Sequence, residues 1–190
     1  DPSLLDAAEC FVGPEIYSNP VQHVRVKVPE SVAPRDEDGN GIFGATPWHQ
    51  DIGVGWGIDT NPTTTVWTAL DAATVASGCM QIVPGSNKLG ILNERHFTSE
   101  EDLARHARDE DVIELEAEAG EAILLHNFLL HRSGINTTAA ARRAFSTTYM
   151  AASTRSLQTG DTFPILFGKD ALDPATVAGK EAARVQVFHG

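Results

Sequence analysis

What most limits the fold of this chain is the length of its apolar runs, which are short, recur along the sequence and are separated by turn residues. Val24, Val26 and Val28 alternate with His23, Arg25 and Lys27, the period-2 signature of a strand with one face buried. Further strand candidates fall at 48–52, at 64–70 and at 79–83, where Pro84-Gly85 ends the run. Others fall at 112–117 and 121–125, around a turn at Ala119-Gly120, and at 143–150. The clearest helix is 99–108: Thr98 or Ser99 caps it, Glu100, Glu101 and Asp102 suit its positive end, and Arg105 and Arg108 its negative end. Its polarity predicts a surface insertion, and a weaker helix is predicted over 175–185. The polar, glycine-bearing stretch 34–41 reads as a surface loop. Many short strands with few helices predict a mainly β protein, an antiparallel sandwich or barrel of the jelly-roll kind.

Composition narrows the function. With 190 residues and 42% hydrophobic content the chain reads as one domain, 1–190. A domain of this size buries roughly 70% of its unfolded surface, so a metal found here serves chemistry rather than folding. The formal net charge of −12, with no basic run, argues against nucleic acid or an anionic membrane as partner and leaves a small-molecule substrate. Oligomeric state is not readable. Cys10 and Cys79 are far apart and form no CxxC, which excludes a disulfide framework and a cysteine zinc site. No apolar run approaches the roughly 18 residues that span a bilayer, and no basic-then-apolar signal opens the chain. The expectation is a soluble, cytoplasmic protein.

Chemistry concentrates at Trp48-His49-Gln50-Asp51. Residues two apart on a strand share a face, so His49 and Asp51 project together while Gln50 points away. An imidazole and a carboxylate are two corners of a metal octahedron, and a second histidine completes the facial set of non-haem iron(II) oxygenases. Of the seven histidines, His126 and His131 are the candidates for that third corner, with His23 a weaker one. Gly53, Gly55 and Gly57 are not a dinucleotide loop, because no helix follows; they are expected to form a flexible stretch near the pocket mouth, with Trp56 exposed or packed on substrate. Cys79 reads as a core residue, since no base stands beside it.

Several motifs in order carry a family resemblance: Trp48-His49-Gln50-Asp51, Trp67-Thr68-Ala69-Leu70, the segment from Gly78 through Pro84-Gly85-Ser86-Asn87-Lys88, and His131-x-Ser133-x-x-Asn136 followed by Arg142. Together, over about residues 13–150, they resemble the phytanoyl-CoA dioxygenase (PhyH) family. The resemblance implies an iron(II)- and 2-oxoglutarate-dependent oxygenase on a double-stranded β-helix (jelly roll, cupin-like) with a few peripheral helices. It implies His49, Asp51 and His131 as iron ligands, Arg142 on the distal carboxylate of 2-oxoglutarate, and O2 as second co-substrate. Guanidinium suits that role because it stays charged and offers a flat two-pronged donor face. Trp67, Gln50 and Ser133 match positions near the co-substrate or the iron. Arg143 is the confounder, because a one-residue slip exchanges the faces of the two arginines.

The implied reaction is hydroxylation of an aliphatic C–H of a small molecule, with release of succinate and CO2. The intact Asp51 favours it over halogenation, which needs that corner for chloride. No feature of the chain recognises CoA, so the family's name does not supply the substrate. Relatives are usually longer at the N-terminus, and the expectation is that such a front segment is absent or cleaved. Two rival readings remain: a redox-inactive cupin-like metalloprotein, isomerase or hydrolase, which would not need Arg142, and a non-catalytic binding module of the same fold.

Overall fold

The computed structural model describes residues 2–18, 23–38, 44–94 and 97–173. Helix α1 (Pro2–Val12) opens them and packs against two later strands, burying Ala8. Strands β1 (Ile16–Ser18), β2 (His23–Lys27), β3 (Thr46–His49), β4 (Thr64–Ala69) and β5 (Met80–Ile82) follow, then helix α2 (Glu100–His106). Strands β6 (Ile113–Leu115), β7 (Ala122–Leu125), β8 (His131–Ser133) and β9 (Arg142–Ala151) complete the order. α2 is the helix expected at 99–108, capped by the Ser99 side chain on the Asp102 amide, with none of its residues buried. The helix expected over 175–185 lies outside the described residues. α1 was not expected from the sequence, although Leu4, Leu5, Ala8 and Val12 recur at helical spacing and Pro2 suits a first helical position.

The strands form two antiparallel sheets, the layout of a double-stranded β-helix. In the larger, β9 is the spine: β2 and β1 pair along one side, β4 along the other, and β7 continues beyond β4. The smaller runs β3-β8-β5-β6. Trp67, Ala69 and Ala144 of the larger sheet pack against Cys79, Met80 and Ala117 on the other side of the core. Among the described residues, no helix is long and apolar enough to cross a membrane.

Pairing decides which face of each strand looks inward. Arg142, Ala144, Ser146 and Thr148 alternate along β9, with Trp67 opposite Ser146 and Thr65 opposite Thr148 on β4. Lys27 and Arg25 stand opposite Arg142 and Ala144, so they share that inner face. The valine alternation of β2 therefore faces the other way: Val24 and Val26 are 59% and 44% exposed while Lys27 is 7% exposed. A hydrophobic pattern predicts the reverse. It fails because the inner face of β2 sets Lys27 against the buried Arg142, and that local requirement overrides binary patterning.

The glycine stretch is also not as expected. Val54–Trp56 forms a 3-10 turn, the Gly53 amide donates to Asn61 Oδ1, and Trp56 packs with Ile58 and Met150 rather than lining the cavity. A Cβ at Gly53 would come within 2.3 Å of the Thr60 carbonyl oxygen, so close backbone approach explains the glycine better than flexibility does.

Candidate functional site

Between the sheets lies a cavity of about 640 Å³ lined by His49, Asp51, Thr65, Trp67, His131, Ser133 and Arg142, among others. An irregularity in β3 aims His49 into it. Thr46 pairs with Ser133 and His49 with His131, so β3 carries one residue more than β8 between these pairs, a bulge at Pro47-Trp48. The bulge sets His49 directly across from His131, with ring centroids 4.1 Å apart. The strand ends at His49; Asp51 lies just beyond it, where its amide donates to the Asn127 carbonyl at 3.0 Å. One ligand atom from each of His49, Asp51 and His131 lies within 4.8 Å of the others.

Both imidazoles are held in the same manner. His49 Nδ1 is 2.8 Å from the Pro47 carbonyl and His131 Nδ1 is 2.8 Å from the Leu129 carbonyl. A carbonyl only accepts, so each Nδ1 carries the proton and each Nε2 presents its lone pair, the tautomer that metal binding requires. His49 Nε2 lies 3.9 Å from Asp51 Oδ1, so these two donor atoms converge.

Across the cavity, Arg142 is 3% exposed. One guanidinium nitrogen donates to the Gly78 carbonyl at 2.6 Å, and its Nε is buried without a partner among the described residues. The Trp67 ring lies 5.5 Å from the guanidinium carbon. Lys27, opposite Arg142 in register, donates from Nζ to the Gly44 carbonyl at 2.8 Å. Burial, then the charges of Arg142 and Arg25, pull the Lys27 pKa down to about 8, and burial lowers that of Arg142 as well. Two buried like charges side by side with no carboxylate between them are costly, unless an anion arrives to pair with them.

Local packing explains why Arg142 is there. Gly78 has φ +74°, and a Cβ on it would meet the Gly134 carbonyl oxygen at 2.5 Å; this contact brings the Gly78 carbonyl to the guanidinium. Asn136 is 2% exposed and donates to the Lys27 and Ala140 carbonyls, tying the end of β2 to the turn before β9. Arg143 faces outward in a two-pronged pair with Asp71 at 2.7 Å, whose hydrogen bonds hold the Asp71 carboxyl at about 2.

Of the residues singled out from sequence, the structure brings His49, Asp51, His131, Arg142, Trp67 and Ser133 to one cavity. It does not bring Gln50 there. The Gln50 amide donates to the Gly90 and Phe128 carbonyls and accepts from the Leu92 amide, so this side chain ties two loops to the segment between His49 and Asp51 and has both amide hydrogens engaged. His126 is half-buried and accepts the Phe128 amide at Nδ1, away from the cavity, whereas His23 stands on β2 opposite Ser146. Cys79 is buried, and burial followed by its hydrogen bond to Glu114 pushes the thiol up to about 12, which removes it as a nucleophile. Lys27, the buried cation opposite Arg142 on the cavity wall, was not among the site residues read from the sequence; its signal was a lysine on the alternating strand.

Fold and donor set together define a double-stranded β-helix with two histidines and a carboxylate on one wall of its cavity. The phytanoyl-CoA dioxygenase (PhyH) family model matches residues 1–144. The chain belongs to that family. A phytanoyl-CoA dioxygenase of Arabidopsis thaliana is 30% identical over 111 residues, 56% of this chain and 38% of that protein. A probable phytanoyl-CoA dioxygenase of Caenorhabditis elegans is 28% identical over 156 residues, 78% of this chain and 48% of that protein. The chain thus spans less than half the length of these relatives. Among solved structures, EctD from S. alaskensis with 2-oxoglutarate and 5-hydroxyectoine is similar with a TM-score of 0.65 at 22% identity, over 91% of this chain and 59% of that one. The non-haem alpha-ketoglutarate-dependent epimerase SnoN from nogalamycin biosynthesis gives 0.60 at 22%, over 93% of this chain and 65% of that one.

Proposed function

We propose that this chain is an iron(II)- and 2-oxoglutarate-dependent dioxygenase that hydroxylates an aliphatic C–H of a small-molecule substrate, with 1–190 acting as one oxygenase domain in the cytoplasm. The observation that carries it is the pairing of two sites across one cavity: the His49, Asp51 and His131 donors on one wall and the buried cations Arg142 and Lys27 on the other. The donor set fits iron(II), being nitrogen and oxygen only, with one carboxylate. The unpartnered Arg142 Nε fits a dicarboxylate, because a buried donor without a partner is what a carboxylate oxygen would satisfy.

In this reading His49, Asp51 and His131 would hold the metal, each through one donor atom. Arg142 and Lys27 would hold the distal carboxylate of 2-oxoglutarate, and Trp67 and Ser133 would wall the space around it. Iron bound with 2-oxoglutarate and O2 supplies the oxidising power, and succinate and CO2 leave as co-products. A redox-inactive metalloprotein of the same shape has no use for Arg142 beside Lys27. The test is succinate formation from 2-oxoglutarate with iron(II), ascorbate and a panel of small molecules. Substrate-dependent succinate is expected, and its absence with iron and 2-oxoglutarate both bound would favour the redox-inactive or non-catalytic readings.

A further inference from the structure

Three successive carbonyls in the turn between β7 and β8 carry the donor set. The Asn127 carbonyl accepts the Asp51 amide at 3.0 Å, the Phe128 carbonyl accepts Gln50 Nε2 at 2.7 Å, and the Leu129 carbonyl stands 2.8 Å from His131 Nδ1. Asp51 depends on this turn more than the histidines do, because His49 and His131 pair in the sheet whereas β3 ends before Asp51. The turn in turn lies beyond a ladder, since β7 ends at Leu125, opposite Thr65. Past that point the Asn127 side chain reaches back to the larger sheet. Its Nδ2 donates to Thr65 Oγ1 at 2.8 Å, and Thr65 Oγ1 lies 2.6 Å from the hydroxyl of Thr148, its partner in register on β9. All three side chains are buried, and Asn127 is 1% exposed. Apolar residues would fill this space without desolvating polar groups, and Asn127 Oδ1 is left with no partner among the described residues. What the polar chain supplies is direction: hydrogen bonds fix the turn in distance and angle, which apolar contact does not.

We infer that Asn127 is a positioning residue for Asp51: anchored through Thr65 and Thr148 to the larger sheet, it holds the carbonyl on which the Asp51 amide docks, and so sets the carboxylate in place beside the two imidazoles. The inference rests on the reading of His49, Asp51 and His131 as metal ligands. Groups that orient a ligand act on metal affinity through that ligand, by about 10- to 100-fold. The anchor also joins the two halves of the site, because Thr148 lies on the strand, and on the face, that carries Arg142.

The test measures cobalt(II) bound to the full chain, by equilibrium dialysis for affinity and by visible ligand-field absorption for coordination. Asn127→Leu and Thr65→Val should each weaken cobalt binding about tenfold and change the absorption, while Thr65→Ser, which keeps the hydroxyl, should match wild type. Gly120→Ala is the stability control: φ there is +93° with open space around it, so it lowers the melting temperature without touching residues 127–129, and its cobalt affinity and spectrum should stay as in wild type. Thr148→Val removes only the far bond of the chain and carries the test if Asn127→Leu does not fold, with a smaller loss in the same direction. Because Asn127 acts through Asp51, Asn127→Leu should cost little further affinity in an Asp51→Ala background. Equal fold-losses in the two backgrounds, wild-type affinity and spectrum in folded Asn127→Leu and Thr65→Val, or a loss of the same size in Gly120→Ala, overturn the inference. Cobalt binding that survives both His49→Ala and Asp51→Ala overturns the metal reading, and the inference with it. Cobalt binding that needs those ligands but ignores Asn127 and Thr65 overturns the inference alone.

Discussion

His49 and His131 each fix Nδ1 on the carbonyl two residues back, so either imidazole arrives with the lone pair on the correct nitrogen. His49→Ala and His131→Ala should therefore each lose nearly all iron by metal analysis, while His126→Ala keeps it because its ring serves the Phe128 amide. The reverse pattern would reassign the ligand. Arg142→Ala should weaken 2-oxoglutarate binding by about 2 to 5 kcal/mol, on the order of 30-fold or more, because it removes one side of a buried charge pair. Arg143→Ala, whose exposed side chain pairs among the described residues with the half-buried Asp71, should leave that affinity nearly unchanged by calorimetry. Lys27 gives a pH signature of two opposite signs. Its folded pKa of about 8 lies below the ordinary 10.5, so between these values the unfolded chain holds a proton that the folded one has released. Stability without ligand should then rise with pH from about 8 to 10.5, and Lys27→Met should raise the melting temperature of the ligand-free protein and flatten that rise. Affinity for 2-oxoglutarate should instead fall as pH climbs through about 8, because the anion needs the charged ammonium.

At the scale of elements, the site depends on backbone contacts between segments far apart in sequence. Gly78→Ala would force a side chain into a left-handed conformation and against the Gly134 carbonyl, a strain of about 1 to 3 kcal/mol or more. Because the Gly78 carbonyl anchors Arg142, the expected outcome is a lower melting temperature together with weaker 2-oxoglutarate binding. Gly85→Ala is the control: φ there is +79° but the space is open, so stability alone should suffer. Most of the strands and the capped polar helix were legible because they rest on period and local chemistry; β1 and β8 were not singled out, and Asp51 lies just past the strand on which it was expected to share a face with His49. The third candidate ligand was narrowed by local pattern to His126 or His131, with His23 a weaker option, and the family resemblance implied His131. The bulge that makes His49 face His131 could not be read, since a register shift belongs to two strands at once. The inward face of β2 was misread by its valines for the same reason: β9, more than a hundred residues away, decides it. Gln50 belongs with these cases, its three partners being loops that no spacing rule connects to it.

Across the whole molecule, the two sheets hold a metal donor set and a buried cation pair on facing walls of one cavity, within an otherwise acidic protein. The central claim is that these two halves act on one ligand, with the proximal end of 2-oxoglutarate on the metal and the distal end on Arg142 and Lys27. Anaerobic titration of 2-oxoglutarate into the protein, with and without iron(II), tests that claim most directly. The account predicts binding at one per chain that tightens strongly when iron is present, and that is lost both in Asp51→Ala, which remains folded by circular dichroism, and in Arg142→Ala. Binding of 2-oxoglutarate that is indifferent to iron, or that survives in either folded variant with wild-type affinity, would contradict it.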